Sequence, residues 1–142
     1  MTKKRKIKVI IDTNLWISFL IGKKLQILKR LIVNDEITII ICDQLIEEIV
    51  RVAARPRLQK YFQKRKVDEL VDFLRLIRVH IKIKSVVNIC RDEKDNFLFS
   101  LAEDSSADLI ITGDHDVLSV EKYKNTEIIN YKEFEKRMSS SD

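Results

Sequence analysis

Glycine and proline are scarce in this 142-residue chain, two and one respectively, which excludes collagen-like, low-complexity and long-linker architectures and favours dense regular structure. Cysteine is equally scarce. Cys42 and Cys90 stand far apart, in no C-x-x-C or His-paired spacing, so no disulfide framework is indicated and a reduced, cytoplasmic protein is expected. With only His80 and His115 beside them, a zinc ligand set is disfavoured. No uninterrupted apolar run approaches the ~20 residues needed to cross a bilayer. The basic-then-apolar start MTKKRKIKVIIDTNLWISFLIG departs from a secretory signal, because Asp12 and Asn14 interrupt its apolar part and no small-residue cleavage site follows. No membrane association is expected, and no internal repeat is present.

What the chain does contain is apolar residues, 45% of the total, and enough length to bury a real core, so a single domain over residues 1–142 is expected. Short runs rich in β-branched residues predict buried strands at 7–11 (IKVII), 37–41 (ITIII), 109–112 (LIIT) and 127–131 (EIINY). The alternation in VHIKI makes 79–83 a further candidate. Between them, apolar residues recur at helical spacing. Helices are predicted over 14–33, divided near Gly22, over 44–54 ahead of Pro56, and over 67–77, 95–105 and 132–138. Strands this apolar, joined by helices, imply a mostly parallel sheet covered on both faces, an α/β fold of three layers.

In such sheets ligands bind beyond the carboxyl ends of the strands. Asp12 directly follows the first strand, and Asp114 and Asp116 follow LIITG, so these acids fall on one rim. Glu48 lies about a turn and a half into the helix after the second strand and can lean toward the same rim, with Glu47 beside it as an equal candidate on spacing alone. Asp92 and Asp95, in CRDEKDN, precede the helix that leads into 109–112, at a spacing that shares a helical face. Each acid has an ordinary role open to it, since Asp12, Asp95 and Asp114 stand where helix N-caps stand. Capping explains neither Asp116 beyond Asp114 nor acids in pairs on both sides of ADLIIT. Several carboxylates meeting in one pocket repel and need a compensating cation or raised pKa values. Mg²⁺ or Mn²⁺, one ion or two, is the hard ion that carboxylates hold together with a substrate phosphate. His115, between two of the aspartates, is read as a surface neighbour.

Lysine and arginine exceed the acids by five, unevenly. Residues 3–8 carry five cations and no acid, and residues 51–66 (RVAARPRLQKYFQKRK) carry seven and no acid, with Tyr61 and Phe62 among them. Arg55, Arg57, Lys60, Lys64, Arg65 and Lys66 are candidate contacts to a nucleic-acid backbone, where each cation releases condensed counterions, and the aromatic rings can stack on unpaired bases. A solvated helix face is the alternative reading of such a run.

KVIIDTNLWISFLI, QLIEEIVRVAARPRL, RDEKDNFLFSLAEDSSADLIITGDHDVL and IINYKEFEKRM together resemble the PIN domain family, specifically its branch of toxin components from toxin–antitoxin systems. The resemblance covers about residues 7–137 and rests on D-T-N, a mid-chain Glu, K-D-N-F-L and T-G-D-x-D in that order. It implies a metal-dependent endoribonuclease in which Asp12, Glu48, Asp95 and Asp114 match the acidic quartet and Asp116 a frequent additional ligand. Asn14 and Thr112 match positions that order the site by hydrogen bonds, and Asp92 an acid common in this branch. Cys42-Asp43 stands where many members have Ser-Pro, a change of helix cap. The resemblance further implies an RNA substrate, a homodimer and a small antitoxin partner.

Two other classes share this pattern. A non-catalytic RNA-binding or assembly subunit of the same fold would bind without cleaving. A phosphate-accepting receiver domain is also a small α/β sheet with rim aspartates, but it calls for adjacent acids after the first strand, where VIIDTN offers one. An aspartyl phosphatase needs a second aspartate two residues on, where Asn14 stands.

Overall fold

Val9, Ile10 and Ile11 are consecutive and all fully buried. Successive strand residues point to opposite faces, so a strand buried at every position must be covered on both. The computed structural model, which describes residues 6–21, 23–61, 63–77 and 79–139, has this three-layer α/β/α arrangement. Strands β1 (Ile7–Ile11), β2 (Ile37–Ile41), β3 (Val79–His80), β4 (Leu109–Ile111), β5 (Lys122–Tyr123) and β6 (Thr126–Ile129) form one sheet in the order β3-β2-β1-β4-β6-β5. Neighbours run parallel except β5 against β6. The helices are α1 (Thr13–Ser18), α2 (Lys24–Val33), α3 (Asp43–Ala53), α4 (Pro56–Gln59), α5 (Lys64–Arg75), α6 (Asn96–Ser105), α7 (His115–Leu118) and α8 (Tyr131–Ser139). Trp16 of α1 packs edge-on against Phe73 of α5 with ring centroids 6.5 Å apart, and α3 buries Leu45, Ile46, Ile49, Val52 and Ala53. Among the described residues no helix is long and apolar enough to cross a membrane.

Several boundaries differ from expectation for identifiable reasons. The helical stretch expected over 14–33 with a division near Gly22 is indeed α1 and α2; Gly22 itself lies outside the described residues, as do Lys3, Lys4, Arg5 and Phe62 of the basic stretches. Helix α5 begins three residues earlier than expected because its first turn buries nothing and leaves no apolar periodicity to read. Of the strand expected over 79–83, only Val79–His80 pairs: the Ile81 N–H still donates to Ile41 O at 2.8 Å, but β2 ends there and no partner remains. Tyr131 starts α8 instead of ending β6, since Asn130 Oδ1 accepts from the Glu133 N–H at 2.8 Å as a cap does. A 3₁₀ turn over Glu93–Asp95 precedes α6. Helix α4 and strand β5 were not expected; both are too short to carry a periodic signal.

The connections set the site. From β1 the chain moves outward to β2 and β3, then returns to the other side of β1 as β4 and continues to β6. Loops leaving β1 and β4 therefore diverge, and a crevice opens between their carboxyl ends, the switch point at which such sheets bind ligands. The register pairs Val9 with Leu109 and Ile11 with Ile111, and the Asp12 N–H donates to Ile111 O at 3.1 Å. Asp12 and Thr112 thus meet across a hundred residues of sequence.

Candidate active site

Asp12 is the N-cap of α1: one carboxylate oxygen accepts from the Leu15 N–H at 2.8 Å, and the other accepts from the hydroxyl of Thr112. Only 7% of Asp12 and none of Thr112 is exposed. The Thr112 hydroxyl oxygen in turn accepts from the Asp114 N–H at 3.0 Å, and Asp114 Oδ1 accepts from the Asp116 N–H at 2.8 Å, capping α7. One buried threonine thereby ties the acid after β1 to the acid after β4. Burial pushes the Asp12 carboxyl above its usual range, the bonds from Thr112 and Leu15 oppose this, and the charge of Asp114 adds to it.

Asp95 and Glu48 complete the cluster. Asp12, Glu48, Asp95 and Asp114 line one polar cleft of about 60 Å³ together with Asn14, Arg55 and Lys94. Glu48 is half-buried in the second turn of α3, whereas Glu47 is exposed and does not line the cleft. Asp95 is pushed up to about 6, first by burial, then by the charges of Asp114 and Asp92, with Lys94 opposing and Glu48 adding. Its Oδ2 is buried and has no hydrogen-bond partner. A buried, partnerless carboxylate oxygen is costly unless something else satisfies it.

All candidate donors in the cleft are oxygens, which suits a hard divalent cation and not zinc. Among the described residues no three Asp, Glu, His or Cys side chains stand close enough together to chelate an ion as they are. The donor set, the unsatisfied oxygen of Asp95 and the raised proton affinities fit a cation of the kind that retains several of its own waters.

Residues 8–116 match the PIN domain family. The chain belongs to that family. PIN domains are in general nucleases, so the fold is of nuclease type. Over 125 residues the chain is also 35% identical to Uncharacterized protein MJ1680 of Methanocaldococcus jannaschii, covering 83% of this chain and 77% of that protein. No solved structure matches it.

The remaining expected site residues of this PIN domain fall around the cleft. Asn14 lines it but is exposed and is not among the hydrogen-bond partners of the carboxylates. Asp116 does not line it; its backbone N–H supports Asp114. Asp92 caps the 3₁₀ turn by accepting from the Lys94 N–H at 3.3 Å and lies 3.7 Å from Lys94 Nζ. Asp92 therefore acts on Asp95 by charge from beside the cleft. Arg57, Lys60, Lys64, Arg65 and Lys66 are exposed on and after α4, with Arg65 paired to Glu69 at 3.2 Å, and only Arg55 of that set reaches the cleft.

Two contributors escaped the sequence reading. Lys94 lines the cleft from inside an acidic run whose net sign hid it. Asn96 accepts from the N–H groups of Ile89 and Cys90, at 3.2 and 2.8 Å, and donates to Asn88 at 3.0 Å, fixing the loop that presents Asp92 and Asp95. Its place in K-D-N-F-L is the available signal. Both cysteines are buried and free, and the Cys90 thiol lies 3.7 Å from the carbonyl of Asp116.

Proposed function

We propose that this chain is an endoribonuclease dependent on Mg²⁺ or Mn²⁺ that hydrolyses RNA phosphodiester bonds. The observation that supports it most is the convergence of four carboxylates, from four separate segments, on a cleft flanked by Arg55 and Lys94. When bound, a divalent cation supplies a water of lowered pKa and offsets charge on the phosphate. Asp12, fixed at both oxygens by Leu15 and Thr112, is an oriented ligand. Asp114 is held against it through Thr112, and Glu48 and Asp95 approach from α3 and from the turn before α6. Arg55 and Lys94 bind a phosphate neighbouring the one that is cut. Asp95, whose buried Oδ2 has no partner in the protein, would turn that oxygen to the cation.

The purified protein is expected to cleave single-stranded RNA only with Mg²⁺ or Mn²⁺, and Asp12→Asn to lower the rate by at least about a hundredfold; an unchanged rate in that variant defeats the assignment. We further propose a toxin of a toxin–antitoxin pair, on the resemblance of D-T-N, K-D-N-F-L and T-G-D-x-D to that branch, with a small antitoxin and a homodimer as partners in the cytoplasm. Growth arrest on expression, relieved by a short protein encoded next to this gene, tests that step. One observation favours a non-catalytic RNA-binding role instead: among the described residues no three donors chelate an ion as they stand. Binding without cleavage across several metals and RNAs is its signature.

A further inference from the structure

Gly113, one of only two glycines in the chain, sits between Thr112 and Asp114. Its backbone is not left-handed, although four non-glycine residues are: Asp35, Ser106, Glu121 and Lys124, with φ of 58°, 55°, 64° and 53°. Backbone freedom therefore does not require glycine at this position. Packing does not require it either, because a Cβ at 113 meets no atom within 4 Å. The space it would enter is a groove of about 280 Å³ lined by Asp12, Asn14, Leu15, Ser18, Gly113 and Asp114.

That groove shares Asp12, Asn14 and Asp114 with the carboxylate cleft and so continues it. The two spaces differ in chemistry. Arg55 and Lys94 line only the cleft, and no cation is among the residues lining the groove. A phosphate finds Arg55 and Lys94 beside the acids of the cleft, whereas the groove presents Asp12 and Asp114 with no cation to receive one. A neutral nucleoside suits the second: the Asn14 amide is free to hydrogen-bond, the Ser18 hydroxyl donates to Leu15 O at 2.6 Å and keeps its acceptor capacity, and Leu15 offers an apolar surface.

Resting on the nuclease reading above, we propose that the groove at Gly113 seats the nucleoside on one side of the scissile phosphate, and that Gly113 keeps this seat open. The neighbouring phosphate on the other side lies against Arg55 and Lys94.

The full chain and its Gly113→Ala and Gly113→Leu variants test this with short single-stranded RNA. Because a Cβ displaces no atom beyond its chain neighbours, Gly113→Ala should melt with the wild type. Binding is read by fluorescence anisotropy in chelator, where nothing is cleaved. Gly113→Leu should bind about tenfold more weakly or worse, the scale of losing one seated base, with Gly113→Ala in between and the cleavage defect in KM more than kcat. A series of oligonucleotides with one abasic residue at each position in turn should show a position that weakens the wild type but not Gly113→Leu. Unchanged binding by Gly113→Leu, or an abasic penalty equal in both proteins, overturns the seat. Should leucine lower the melting temperature, Gly113→Ala and the abasic series on the wild type decide instead. Failure of the wild type to cleave any RNA with Mg²⁺ or Mn²⁺ sinks the nuclease reading separately, while the chelator experiment still tests the seat.

Discussion

Asp95 holds its proton more tightly in the folded chain than in the unfolded one. Its value rises from 3.8 to about 6, with burial the largest cause. The folded state therefore binds more protons than the unfolded state across that window, and stability declines as pH rises from about 4 to about 6 and is level above. Ionised Asp95 is thus a strain on the metal-free fold. In chelator, Asp95→Asn should raise the melting temperature by a few degrees at pH 7.5, and the gain should vanish by about pH 4. A melting difference that does not change with pH would show that the carboxylate is solvated after all. Asp12 is shifted in the same direction, but its bonds from Leu15 and Thr112 oppose the cost of burial, and Asp95 Oδ2 has no such partner. The difference between these two aspartates is one of hydrogen bonding.

At the level of elements, α3 shows how packing aims a charged residue. Its buried side carries Leu45 and Ile49, both fully buried, and this fixes the rotation of the helix so that Glu48 turns toward the cleft while Glu47 stays in water. Ile49→Ala should lower the unfolding free energy by about 2–5 kcal/mol in urea titration. Glu47→Ala should stay within about 0.5 kcal/mol and keep cleavage, whereas Glu48→Ala should lose it. Activity that survives Glu48→Ala and fails in Glu47→Ala would reverse the assignment. Elements of this kind were readable beforehand, because α3 and the central strands are long or apolar enough to leave a periodic trace. The rim position of Asp12 and Asp114 followed from strand ends and helix starts. Sequence could not choose between Glu47 and Glu48, since one residue of helical phase separates them, nor place Asp116, whose carboxylate is outside the cleft while its backbone supports Asp114. The arrival of Asp95 through a 3₁₀ turn and a loop pinned by Asn96 leaves no periodicity to read.

At the scale of the whole molecule, four acids meet at the switch point, while Arg57, Lys60, Lys64 and Lys66 stand exposed on and after α4, which starts beside Arg55 at the cleft. Tyr61 lies among them, 65% exposed, with Lys60 Nζ 5.6 Å from its ring centroid. If this stretch carries an RNA strand, affinity must fall with salt. Replacing Arg57, Lys60 and Lys64 together by alanine should reduce the slope of log affinity against log salt by about two, at ~0.7 per contact for single strands. An unaltered slope would assign these cations to solvent.

The pairing of β1 with β4 carries a consequence for synthesis. Asp12 emerges from the ribosome 100 residues before Thr112, which holds its carboxylate and, through its hydroxyl, the Asp114 N–H. Translation proceeds at roughly 5–20 residues per second, so for several seconds each nascent chain sits beside its own messenger without an assembled centre. For the ribonuclease proposed above, the messenger is spared until Thr112 and Asp114 have emerged.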